Sequence, residues 1–141
     1  MGERGSVLML MPAGVLVLFL LGAIAVDFSV AFMAERELVN AAAAAANDAA
    51  VGAIDDARFY EADEIALDEG RARTVVDAAV EAQGAEWLAP IEVVRVEVAS
   101  GSPTVTVELR ARARYLFAKA IPGGPDGVTV QAAATATAER R

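Results

Sequence analysis

No cysteine and no histidine occurs in the 141 residues. No disulfide can form, so cysteine usage does not report the redox compartment. Zinc sites of the usual Cys/His type are excluded, as is any catalytic scheme built on a cysteine nucleophile or a histidine base. Aromatic residues are scarce at 6%, although 56% of the chain is hydrophobic. Alanine and valine therefore carry the apolar content, which predicts a shallow core with tight helix contacts. Cations are in the minority, 12 against 20 acidic residues, for a formal net charge of -8. Glu3 and Arg4 cancel, so the whole acidic excess follows residue 26. An acidic exposed domain argues against nucleic acid as a partner and against docking on anionic lipid.

Charge is missing altogether from residues 6–26. About 20 uncharged residues suffice to cross a bilayer core of roughly 30 Å as a helix. The helical pattern does not stop there. Neither glycine nor proline interrupts residues 23–51, and six consecutive alanines fill residues 41–46. A helix over residues 6–54 would be about 73 Å long, rooted in the membrane and standing clear of it as a stalk. Removing the anchor leaves about 115 residues, enough for one domain with a modest core.

Three readings of the N-terminus are open. The apolar helix is a retained anchor, or a secretory signal peptide cut after Ala23-Ile24-Ala25, or a prepilin-like segment cut after Gly5 to leave Ser6 first. One arginine flanks the span on each side, Arg4 and Arg36, and the α-amine tips the orientation towards an inside N-terminus.

Beyond the span, Phe28, Phe32, Val39, Ala46, Ala50 and Ala53 fall on one face at helical spacing, with Arg36, Glu37, Asn40, Asn47 and Asp48 on another. Gly52 and Asp55-Asp56 end the helix. An acidic connector follows, with Asp55, Asp56, Glu61, Asp63, Glu64, Asp68 and Glu69 against Arg58, and Phe59-Tyr60 and Ile65/Leu67 to pin it. A second helix starts at an Asp68 N-cap and repeats Ala72, Val75, Val76, Ala79, Val80 and Gln83, with Gly84 as its stop. From Ile91 the period becomes two. Val94, Val96 and Val98 should face Leu109, Val107 and Val105 across a Ser100-Gly101-Ser102-Pro103 turn, with Arg95 opposite Glu108. The second strand's inward set extends through Tyr115 and Phe117. After the loop of residues 121–127, Val128, Val130, Ala132, Ala134 and Ala136 line a third strand whose small residues leave room for a helix. The expected fold is α+β: a long N-terminal helix and a second helix on a three-stranded antiparallel meander.

The acidic connector lacks the ligand spacing of an EF-hand, and Pro122-Gly123-Gly124-Pro125-Asp126-Gly127 joins strands rather than opening a helix. Neither cofactor, metal site nor small-molecule substrate is expected, and no enzymatic function. Two readings are open for Arg110, Arg112 and Arg114: a solvated sheet face paired with Glu92, Glu97 and Glu108, or a docking patch for an acidic surface. Glu35, between Phe32 and Val39, either marks the membrane–water boundary or pairs with a cation on a neighbouring helix.

Arg4-Gly5-Ser6-Val7, Pro12, the apolar run ending in Ala25-Val26-Asp27, and Ala34-Glu35-Arg36-Glu37-Leu38-Val39-Asn40-Ala41-Ala42 together resemble the N-terminal region of TadE/TadG-like proteins of the bacterial tight-adherence (Flp) pilus machinery. The resemblance covers about the first 55 residues, with a looser likeness in the alanine- and threonine-rich final strand. It implies a pilin-like minor subunit or assembly factor whose partners are the membrane and other pilus subunits. Residues 1–5 would be a cytoplasmic leader, 6–26 the span, 27–54 a helical stalk continuing into the domain and 55–141 an extracytoplasmic domain. The fifth residue after a cut at Gly5 is Leu10, where prepilins typically carry glutamate. Phe28, Phe32, Glu35 and the three arginines are the expected assembly contacts. The leading alternative is a membrane-anchored or secreted binding or scaffolding module outside any filament.

Overall fold

A computed structural model describes residues 3–55, 66–83 and 88–139, with side chains from residue 10 onward. Its elements are α1 (Glu3–Gly52), α2 (Glu69–Glu81), β1 (Glu92–Val98), β2 (Thr104–Arg114), a short 3-10 turn (Ala118–Ala120) and β3 (Gly127–Thr137). The strands form an antiparallel meander in the order β1-β2-β3, and both helices pack on one face of it. The α+β architecture expected from the sequence is the one observed.

α1 is a single helix of 50 residues, with Pro12 inside its apolar first half. Its second half packs into the domain. Ala34, Leu38, Ala41, Ala42, Ala45, Ala46, Ala49, Ala50 and Ala53 are all buried, against β2 and β3 on one flank and α2 on the other. Two adjacent rows of alanine make this wide face, and alanine's single methyl lets the backbones of helix and sheet come close without losing helix propensity. The domain is thus built around the helix. The expected stripe is correct for Ala46, Ala50 and Ala53 but wrong nearer the apolar run, where Phe28, Phe32 and Val39 are exposed and Asp27, Ala34 and Leu38 take the inward positions. The charged and amide residues Arg36, Glu37, Asn40, Asn47 and Asp48 lie outside, as their spacing predicts.

α2 begins where expected. The Asp68 carboxylate accepts the Arg71 N–H at 2.7 Å, the standard N-cap bond. Ala72, Val76 and Val80 are buried against the core. The base of the connector is stapled: Asp55 N–H donates to the Ala66 carbonyl and Asp68 N–H to that of Ala53, each at 2.9 Å. Leu67 packs on the core. The connector between these staples, including Asp56, Arg58, Phe59, Tyr60, Glu61, Asp63, Glu64 and Ile65, lies outside the described residues, as do Gly84 and Trp87.

In the first hairpin Val98 faces Val105, Val96 faces Val107 and Arg95 faces Glu108, as the alternation predicts. A bulge between Val93 and Arg95 then shifts the register, so Leu109 meets Val93 and not Val94. The inward set switches from even to odd numbers there: Val93 and Ile91 pack on the core while Val94 is exposed. β3 pairs with β2 along its whole length, and Ala132 and Ala136 are buried under α1. β2 ends at Arg114, so Phe117 leaves the sheet and is exposed.

The loop from β2 to β3 is held by its own hydrogen bonds. Tyr115 N–H reaches the Asp126 carbonyl at 3.0 Å, Ile121 N–H that of Ala118 at 3.1 Å and Gly124 N–H that of Ile121 at 2.8 Å. A Cβ on Gly124 would stand 2.3 Å from the Ala118 carbonyl oxygen, so the backbone itself is in the way. Gly124→Ala should cost about 1–3 kcal/mol and raise amide exchange over residues 117–121 with little change in β1. Hydrogen exchange of the two segments checks this.

Candidate functional site

The first half of α1 is long and apolar enough to cross a membrane, and its side chains are largely exposed. Leu10, Leu16, Leu18, Phe19 and Leu21 have no cover from the domain. Gly5 and Ser6 are part of the helical backbone. Beyond the apolar run, Phe28, Phe32, Glu35 and Val39 form an exposed strip one residue out of phase with the buried face. Ser29, the first hydroxyl past the apolar run, is satisfied within the helix, donating to the Ala25 carbonyl at 2.8 Å.

The two faces meet at Asp27, which is 7% exposed. Its Oδ1 accepts the N–H groups of Leu116 at 2.7 Å and Phe117 at 3.1 Å, and its Oδ2 accepts that of Ala118 at 2.7 Å. Phe117, at the N-cap position of the 3-10 turn, supplies no side-chain cap. The carboxylate of a residue 90 positions earlier does so instead. A buried carboxylate needs such donors, because desolvation without them is costly. Asp27 was not among the residues expected to matter. Its spacing held the clue: it shares the phase of Ala34, Leu38 and Ala41, so a helix with those residues inward turns a carboxylate inward too.

Burial pushes the Asp27 pKa up, but the N–H groups of Phe117, Ala118 and Leu116, with the Lys119 charge, outweigh it and hold it below the ordinary carboxylate value. A depressed folded-state pKa contributes stability that is fully present above the unfolded value and is lost as pH falls through the folded one. Stability should therefore be flat in this respect from pH 7 to about 5 and decline below about 4. The Asp27→Asn variant should lack this component of the acid limb. Urea midpoints of both forms across that range measure it.

The arginines divide. Arg112 pairs with Asp126 across the β2–β3 loop. Arg110 directs Nε and Nη2 to the Gln131 side-chain carbonyl at 3.0 and 3.1 Å, the amide being oriented by these bonds. Arg114 is exposed at the strand end. Glu97 pairs with Arg95 of its own strand at 3.1 Å. Glu92 lies opposite Arg110 in the register, and Glu108 opposite Arg95. The outer sheet face is continued by Thr104–Thr137 and Thr106–Thr135 hydroxyl pairs, each at 3.1 Å.

Among the described residues no group of three or more His, Cys, Asp or Glu is placed to hold a metal. A hollow of about 530 Å³ between α2 and the start of β1 is lined, among the described residues, by Asp77, Val80, Glu81, Leu88 and Ile91. A smaller one of about 160 Å³ lies beside the clamp, lined by Ile24, Asp27, Phe28, Tyr115 and Ala118. No protein-family model, curated protein or solved structure matches the chain.

Proposed function

We propose that this protein is a single-pass, membrane-anchored, pilin-like minor subunit or assembly factor of a Flp-type pilus or related secretion system. The observation that supports it most is one unbroken helix with two environments: apolar and exposed up to Val26, then the core of a small α+β domain from Ala34. Such a helix suits a bilayer first and a bundle of like helices second. The resemblance of residues 4–7 and 25–42 to TadE/TadG-like proteins supports the same reading. The N-terminus is cytoplasmic and the domain extracytoplasmic. The protein acts by packing rather than by chemistry, with Phe28, Phe32 and Glu35 offered to neighbouring helices and the Arg110, Arg112 and Arg114 face to an acidic surface. In a filament, Glu35 among exposed apolar side chains would meet a cation of the next subunit.

Mass spectrometry of the mature chain, with fractionation of sheared surface filaments, tests this. A chain beginning at Ser6 and recovered in filaments supports the pilin reading. A full-length chain confined to the membrane, with no pilus component co-purifying, overturns it in favour of a scaffolding module. A chain beginning at Val26 overturns the anchor itself.

A further inference from the structure

We infer that the loop of residues 115–121 is a second membrane contact, with Leu116, Phe117 and Ile121 inserted at the lipid interface beside the span and Lys119 directed to lipid phosphates. This rests on the membrane anchoring proposed above and adds a site to it. The Asp27 carboxylate holds the N–H groups of Leu116, Phe117 and Ala118. The loop is therefore fixed at the level where α1 leaves its uncharged run. Ile24, one turn deeper in that run, lines the same hollow as Tyr115 and Ala118. The loop overhangs the last apolar turn of the span.

The side chains at that level are the wrong ones for water. Leu116, Phe117 and Ile121 are 52%, 49% and 56% exposed. Elsewhere in the described domain beyond residue 33, the exposed large apolar side chains are Val39, Val51 and Val94, well apart in the sequence. Three such residues within six positions make a patch, and the loop's internal hydrogen bonds hold it in place. Lys119 is the only charged residue in positions 115–125. Of the acidic groups beside the loop, the Asp27 carboxylate is buried beneath its N–H groups and Asp126 is paired with Arg112, so the loop itself presents apolar side chains and one cation. An interfacial aromatic, aliphatic anchors and a snorkelling lysine are what the boundary region favours.

The absence of cysteine makes the test direct. Leu18→Cys, Phe117→Cys, Ile121→Cys and Ser100→Cys, each in the full chain, carry one environment-sensitive fluorophore. They are reconstituted in nanodiscs of phosphatidylcholine and phosphatidylglycerol at roughly 3:1. Shallow spin-labelled lipid and aqueous iodide are the quenchers. The Phe117 and Ile121 labels should be quenched by lipid at least about two-fold more than the Ser100 label in the distal turn, and correspondingly less by iodide. Labels at 117 and 121 as open to iodide as that at 100, with the Leu18 label in lipid, overturn the loop contact and leave the anchor standing. Shielding of both loop labels from lipid and iodide alike means that protein covers the patch, which also overturns it. A Leu18 label open to iodide overturns the anchor, and the loop contact with it.

Discussion

Leu38→Ala should destabilise the domain by about 2–5 kcal/mol, while Val39→Ala should stay within about 0.5 kcal/mol. The two residues are adjacent and chemically similar, but Leu38 is 0% exposed and Val39 46%. Leu38 is the largest side chain on the buried face of α1, and the other buried residues from Ala34 to Ala53 are alanines. A methyl fixed to the helix backbone cannot swing into a hole, so the cavity left by three lost carbons should stay open. That places the cost in the upper part of the range for such changes. Denaturant unfolding of the full chain in micelles, read by exchange protection of the β2 amides, gives both numbers. Equal effects from the two variants would mean that the helix presents a different face to the sheet.

Asp27→Ala should cost about 2–4 kcal/mol, concentrated at one corner. Three hydrogen bonds to an ionised acceptor are lost, and the freed N–H groups regain water only if the loop moves. Protection of the Leu116, Phe117 and Ala118 amides should fall by about 30- to 1,000-fold, the same energy expressed as an equilibrium. The sheet amides from Val105 to Leu109 should change far less, since the strand register does not depend on the clamp. Asp27→Asn should fall between, because one amide oxygen can serve part of what two carboxylate oxygens did. A uniform loss across β2 would show that Asp27 supports the whole core rather than the loop.

These two residues also mark where the sequence was readable. α2 was legible because its N-cap and its three-and-four spacing are local signals, and Asp68 makes the expected bond. The hairpin was legible up to Arg95 because a slip would set valines against charges. It failed at Val93-Val94, where two adjacent valines satisfy alternation equally well and only the core decides between them. The phase of α1 failed for a different reason. Phe28, Phe32 and Val39 dominate any hydrophobic count, yet close packing against a sheet selects small residues, so the alanine rows turn inward. The Asp27 clamp joins positions 89 to 91 apart and has no local signature except its phase. Of the expected contact residues, Phe28, Phe32, Glu35, Arg112 and Arg114 are exposed and Arg110 is half-buried against Gln131, and no local signal in the sequence says what meets them.

The continuity of α1 makes the protein a lever. From Asp27 to Gly52 the helix is about 38 Å long and, with no glycine or proline before its end, stiff. The sheet is fastened along it and cannot swivel independently of the apolar first half of the helix. Anchored in a bilayer as proposed, a change of 20° in the tilt of that half, well within the usual range, would carry the distal end of the domain about 13 Å sideways. In the proposed setting, movements of that half would be amplified at the distal end of the domain.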